Sequence, residues 1–106
     1  MAIHETNAEN FDSLVAEGFV IVDFFSETCV PCKMFSRILE ELADDVPFVE
    51  IVKGNTTKYP ELAERFSISA VPTVMFYKDG ICLERRQGVQ SRKELEKVIS
   101  EHMYDM

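Results

Sequence analysis

The chain has 106 residues, enough for one modest hydrophobic core, and we predict a single domain over residues 1–106. Its net charge of −8 disfavours nucleic acid and anionic membranes as partners, because both are themselves negatively charged. No apolar run reaches the length of a membrane span and no signal peptide is visible, so we expect a cytoplasmic protein. Three cysteines, an odd number, argue against a framework of purely structural disulfides.

The first part of the chain alternates predicted strands and helices. A short strand near Ala2–His4 precedes a helix that Thr6 or Asn7 caps and Gly18 ends. The run Phe19–Phe25 is nearly all apolar, which is typical of a buried parallel strand. Helical periodicity follows over Lys33–Asp45.

The second part continues this alternation and then changes to a hairpin. We predict a third strand over Phe48–Val52, a short helix opened by Pro60, and strands over Thr73–Tyr77 and Ile81–Arg86. Asp-Gly between the last two strands predicts that they are antiparallel. A capping box, formed by a serine and a glutamate three residues later at 91–94, starts the last helix.

This order of elements predicts an α/β fold with one mixed sheet and helices on both of its faces. In such sheets the active site forms at the carboxyl end of the central parallel strands.

Cys29 and Cys32 lie at such a strand end, where the predicted strand turns into a helix. Residues three apart on a first helical turn share a face, which brings the two cysteines near the separation that a disulfide requires. Cys29 falls at the helix N-cap, where free backbone N–H groups stabilise a thiolate. Pro31 is tolerated in the first turn, and Lys33 adds a positive charge. The pattern predicts a redox-active cysteine pair.

Asp23 interrupts the apolar strand that leads to the cysteines. Burying a carboxylate costs several kcal/mol unless it is paired or protonated. One interpretation is a hydrated residue near the strand end. The other, which we favour, is a buried acid with a raised pKa beneath the cysteine pair.

Four stretches in register resemble the thioredoxin family over almost the whole chain. They are Cys29-Val30-Pro31-Cys32-Lys33-Met34, Val22-Asp23-Phe24, Ala70-Val71-Pro72-Thr73 and Gly88. The resemblance implies a thioredoxin fold, with a central mixed five-stranded sheet flanked by four helices. It also implies protein disulfide reduction by dithiol–disulfide exchange.

The resemblance assigns roles to individual residues. Cys29 is the nucleophile, Cys32 resolves the mixed disulfide, Asp23 helps to deprotonate Cys32, and Pro72, which is cis in the family, positions the target. The residues expected to bind the target are Val30, Pro31, Ala70, Val71, Gly88 and Val89. Lys53 matches a family lysine close to the buried aspartate, and Lys53 and Lys33 are candidates for tuning the site.

The resemblance also implies the partners: disulfide-containing target proteins and a flavoenzyme of the thioredoxin reductase type. We expect no bound cofactor beyond the redox-active disulfide, no metal site, and a monomer. His4, His102 and Cys82 lie in separate elements without ligand-like spacing. We predict that Cys82 is a small buried hydrophobe.

Two departures from the family pattern leave other functions open. Thr28 stands where the family has tryptophan, and Val30 stands where it usually has glycine. These changes are compatible with a thiol oxidase or isomerase of the same fold. A redox-inactive binding module is a further alternative.

Overall fold

The computed structural model describes residues 3–103. Within this range the chain forms five strands and four helices. In chain order they are β1 (Ile3–Thr6), α1 (Phe11–Leu14), β2 (Phe19–Phe25), α2 (Val30–Asp45), β3 (Val49–Asn55), α3 (Pro60–Phe66), β4 (Thr73–Lys78), β5 (Ile81–Gln87) and α4 (Arg92–Met103). The predicted first strand is confirmed from Ile3 onward, and Ala2 lies outside the described residues.

The strands form one sheet in the order β1-β3-β2-β4-β5. Strands β1, β3 and β2 are parallel to one another, whereas β4 is antiparallel to β2 and to β5. The predicted mixed sheet is therefore confirmed, with the strand that precedes the cysteines at its centre.

Alternation along β2 divides its side chains between two hydrophobic clusters. Phe19 and Ile21 pack on the face that α2 and α4 cover. Val20, Val22 and Phe24 pack on the opposite face, with residues of α1 and α3. Because successive side chains of a strand point to opposite faces, Asp23 is directed to the face beneath α2. This placement brings its carboxyl group under the helix that carries the cysteines.

The first helix is shorter than predicted, and its predicted cap is wrong. Helix α1 has four residues, and its N-cap Asn10 makes no side-chain capping hydrogen bond. Asn7 Oδ1 instead accepts the N–H groups of Glu9 and Asn10, both at 2.9 Å. In this Asx turn the Asn7 side chain binds N–H groups ahead of the helix, so the helix begins only at Phe11.

The third strand is longer than predicted and passes close to β2. It covers Val49–Asn55 rather than Phe48–Val52. Gly54 lies opposite Phe24 in the parallel register. A Cβ atom at Gly54 would lie 2.8 Å from Cδ1 of Phe24, which is fully buried. This contact explains why a residue without a side chain occupies the position.

The predicted hairpin is confirmed, but the prediction for Cys82 is wrong. Asp79 and Gly80 have positive φ values of 50° and 85°, as in the two-residue turn that Asp-Gly favours. Cys82 is exposed, not buried. It lies on β5, which is an edge strand, and its neighbour Ile81 is also exposed. An edge strand has no partner on its outer side and buries fewer of its side chains.

The last helix begins at the predicted capping box. The N–H of Glu94 donates to Ser91 Oγ at 3.1 Å, and the N–H of Ser91 donates to a Glu94 carboxyl oxygen at 3.4 Å. Near the other end, His102 Nε2 lies 2.8 Å from Glu84 Oε2 and joins α4 to β5. None of the helices within residues 3–103 combines the length and apolarity needed to cross a bilayer.

We predict that Gly54→Ala destabilises the protein by about 1–3 kcal/mol, because the added methyl group overpacks the buried ring of Phe24. Urea unfolding measures the change. The control is the same substitution in a Phe24→Leu background, where the smaller side chain leaves room. An equal cost in both backgrounds would show that the contact with Phe24 is not the cause.

Candidate active site

The cysteine pair sits at the junction between the central strand and the second helix. Cys29 is the N-cap of α2, with extended backbone angles (φ −89°, ψ 108°). The backbone N–H of Cys32 donates to Cys29 Sγ at 3.1 Å. The two cysteines form a disulfide with a Cα–Cα separation of 5.2 Å. The predicted cap and the predicted pairing are both present.

The two sulfurs differ in their access to solvent. Cys29 is half-buried, whereas Cys32 is 3% exposed. Between them, Pro31 is exposed and Val30 is 70% exposed. Cys29 is therefore the more accessible of the two cysteines, and an exposed apolar side chain lies next to it.

The loop before β4 lies against Cys29. Its Val71–Pro72 peptide bond is cis, as the resemblance implies. The carbonyl oxygen of Val71 lies 3.7 Å from Cys29 Sγ. The N–H of Gly88 donates to the carbonyl of Pro72 at 2.8 Å, and the Thr73 hydroxyl donates to the carbonyl of Ala70 at 2.6 Å.

These hydrogen bonds bring most of the predicted binding residues to one place. Val71 lies against Cys29, and Ala70 and Gly88 are joined by hydrogen bonds to the neighbouring residues Thr73 and Pro72. Ala70 is exposed, and Val71 and Gly88 are half-buried. Val89 is half-buried and packs against the core on the α2 side, so only part of it is available to a target.

Asp23 is the buried acid that the sequence predicts. It is 0% exposed, and neither carboxyl oxygen has a hydrogen-bond partner within residues 3–103. Burial raises the pKa of Asp23 to about 7, and the positive charge of Lys53 opposes this rise. This full burial does not fit the interpretation of Asp23 as a hydrated residue near the strand end. A carboxyl group with this pKa can take up and release a proton near neutral pH.

Lys53 lies beside Asp23 and is hydrogen-bonded to a residue that the sequence patterns did not single out. The two are register partners in β2 and β3. The ammonium group of Lys53 donates a hydrogen bond to Ser36 Oγ and lies 5.1 Å from the ring centroid of Phe25. Ser36 follows Cys32 by four residues, and this helical spacing was the available signal.

A small cavity lies beside Cys32, Ser36 and Lys53. Its volume is about 130 Å³. The residues that line it are Phe25, Ser26, Glu27, Cys32, Lys33, Ser36 and Lys53. Lys33 is exposed and borders the cavity on the same helix as Cys32. Thr28, at the family's tryptophan position, is exposed next to Cys29.

The remaining cysteine and the histidines lie away from this site. Partial desolvation raises the pKa of the Cys82 thiol, so Cys82 is not an activated thiolate. His102 lies close to Glu84 and Glu101, and the nitrogen and carboxylate oxygens that could bind a metal lie within 4.8 Å of one another. This group joins β5 to α4, so the sequence spacing of its residues does not predict it. Hydrogen bonds from His102 and Arg86 lower the pKa of Glu84. The three side chains form an ion-pair network.

The raised pKa of Asp23 predicts a pH-dependent stability. In the unfolded chain its pKa is near 3.8, so between that value and about 7 the folded state holds the additional proton. Stability then falls as the pH rises through this window. Between pH 5 and pH 8 we expect the oxidised protein to lose about 2–3 kcal/mol relative to Asp23→Asn, which cannot ionise.

Denaturant unfolding of both oxidised proteins at the two pH values measures this difference, and the disulfide keeps Cys29 and Cys32 from titrating. Parallel pH profiles for the two proteins would contradict the burial of an ionisable carboxyl group at this position.

Comparisons with known proteins agree with this geometry. The thioredoxin family model matches residues 2–101. The chain is 41% identical over 100 residues to a thioredoxin of Chlamydia trachomatis serovar D, covering 94% of this chain and 98% of that one. It is 35% identical over 104 residues to a thioredoxin of Staphylococcus haemolyticus, covering 97% of this chain and 100% of that one.

The crystal structure of oxidised mitochondrial thioredoxin 3 from Saccharomyces cerevisiae is also similar. It superposes with a TM-score of 0.83 at 30% identity, covering 93% of this chain and 94% of that one. With a cysteine pair at disulfide distance on the same fold, the chain belongs to the thioredoxin family and is a protein-disulfide oxidoreductase of the reductase type.

Proposed function

We propose that Cys29 attacks the target disulfide and that Cys32 resolves the resulting intermediate. The observation that carries this assignment is the hydrogen bond from the Cys32 N–H to Cys29 Sγ at 3.1 Å, at the start of a sixteen-residue helix. A donor at a helix N-terminus stabilises the thiolate, which is the attacking species. Cys32 is almost fully buried and is reached only after Cys29 has reacted.

The cycle moves two electrons through one covalent intermediate. The Cys29 thiolate attacks one sulfur of the target disulfide, forms a mixed disulfide and releases the other target sulfur as a thiolate, which takes up a proton. The Cys32 thiolate then attacks Cys29 Sγ, and the second target sulfur leaves. The target gains two electrons and two protons, and the Cys29–Cys32 disulfide carries the oxidation.

Asp23 is proposed as the acceptor of the Cys32 proton. Its carboxyl group lies on the sheet face beneath α2, and its oxygens have no partner in the described part of the chain. Burial raises the pKa of Asp23 to about 7, which suits a group that must accept a proton and later release it near neutral pH. Lys53, the register partner of Asp23, lines the cavity beside Cys32, and this cavity is proposed as the route by which the proton reaches solvent.

The target is proposed to bind as an extended segment along the Pro72 loop. The backbone at Val71 lies beside Cys29 Sγ and offers groups for β-type pairing. The apolar side chains of Val30 and Val71, with Pro31 and Pro72, surround the sulfur and suit flexible targets of varied sequence. Ala70, Gly88 and Val89 extend this surface.

Electrons are proposed to come from a flavoenzyme of the thioredoxin reductase type, which returns the disulfide to the dithiol. The cycle needs no bound cofactor, because the cysteine pair itself stores the electrons. We propose a cytoplasmic location and a monomer. An exposed free thiol at Cys82 suits a reducing compartment, where thiols stay unpaired.

We predict that Cys32→Ser traps the mixed disulfide and that Cys29→Ser does not, since only Cys29 forms it. Both substitutions are made in a Cys82→Ser background, which removes the exposed thiol. Incubation with a disulfide-containing protein, followed by non-reducing electrophoresis and mass spectrometry, detects the adduct. Turnover with reductase should fall to background in both variants. Trapping by Cys29→Ser with Cys32 intact would reverse the assigned roles.

A further inference from the structure

One side-chain hydrogen bond joins α2 to β3 beneath the cysteine pair. The Lys53 ammonium donates it to Ser36 Oγ, and both residues are half-buried. Ser36 lies one helical turn after Cys32, on the same side of α2. The lysine is therefore fixed to the helix that carries the resolving cysteine, although it belongs to the strand next to Asp23.

The same three residues border one cavity. Cys32, Ser36 and Lys53 line a space of about 130 Å³, which is large enough for a few water molecules. Cys32 therefore borders a space that water can occupy, next to the Lys53 ammonium group. The Ser36 hydroxyl is suited to hold an ammonium group there, since it offers an acceptor and adds no charge.

The charge of Lys53 acts directly on Asp23. The two are register partners, and the positive charge of Lys53 opposes the effect of burial on the carboxyl group. Other charged or titratable groups around Lys53 are Glu27 and Lys33 at this cavity, Glu5 on β1, and Lys58 and Tyr59 at a second cavity that Lys53 also lines. On the β4 side the register partner of Asp23 is apolar.

We propose that Ser36 is a positioning residue, whose hydroxyl holds the Lys53 ammonium beside Asp23 and thereby sets how readily Asp23 accepts the Cys32 proton. The proposal rests on the role of Asp23 proposed above. Ser36 acts through Lys53 and makes no contact with the target.

Removing the Ser36 hydroxyl should change the titration of Asp23 in one direction. Without its acceptor, the Lys53 ammonium gains more from hydration than from staying near the cavity, and its long flexible stem can carry it outward. Asp23 then loses part of the charge that stabilises its carboxylate. Its titration midpoint rises, and less carboxylate is available at neutral pH.

The test follows the carboxyl carbon of Asp23 by NMR as a function of pH, in the oxidised protein. For Ser36→Ala we expect the midpoint to rise by about half a pH unit, which corresponds to a roughly threefold smaller carboxylate-to-acid ratio. Ser36→Thr keeps the hydroxyl and should restore the wild-type midpoint. Ser26→Ala is the matched control, since Ser26 lines the same cavity without a side-chain hydrogen bond to Lys53 in the described residues.

Two further measurements separate the possible outcomes. In a Lys53→Met background, Ser36→Ala should add no shift, because its effect passes through the lysine. In single-turnover assays the pH midpoint of the resolving step should move with that of Asp23. An unchanged or lower midpoint in Ser36→Ala, or an equal rise in the Lys53→Met background, would overturn the proposal. If Asp23→Asn leaves the resolving step unchanged while the Ser36→Ala shift is present, the role of Asp23 fails but the positioning by Ser36 stands.

Discussion

The hydrogen bond from the Cys32 N–H to Cys29 Sγ depends on where the central strand ends and the second helix begins. It exists because a buried strand ends at Phe25 and a long helix begins at Val30, which leaves Cys29 as the N-cap. The strand is held at the centre of the sheet between β3 and β4. The helix is held by its apolar face, which includes Phe35, Leu39 and Leu42. The sheet and the core thus fix a reactive sulfur at a helix N-terminus.

Within this site, Asp23 is the residue that lowers the stability of the folded protein. A fully buried carboxyl group without hydrogen-bond partners in the described residues opposes folding whenever it is ionised. The fold tolerates it because a proton neutralises the group up to about pH 7 and because Lys53 offsets part of its charge above that pH. Stability and proton transfer are therefore linked through one residue, and the lysine that moderates the cost is held in place by Ser36.

Local patterns predicted most of the fold and the reactive pair. The apolar run at Phe19–Phe25, the Asp-Gly turn and the Ser91 capping box each describe one segment, and the structure confirms all three. The predictions that were wrong concern residues whose structure depends on distant or competing contacts. Asn7 binds N–H groups of a turn rather than of the helix, and Cys82 is exposed because its strand is an edge. The hydrogen bond between Ser36 and Lys53 joins a helix to a strand, and local sequence patterns do not predict such pairings.

The most direct test of the reducing function is the equilibrium reduction potential of the Cys29–Cys32 pair in a defined thiol–disulfide buffer. A pair that reduces its targets must form a disulfide that is itself a weak oxidant. The predicted value is near about −270 mV, as for reducing thioredoxins. A value above about −200 mV would contradict the account, because the pair would then oxidise its partners rather than reduce them.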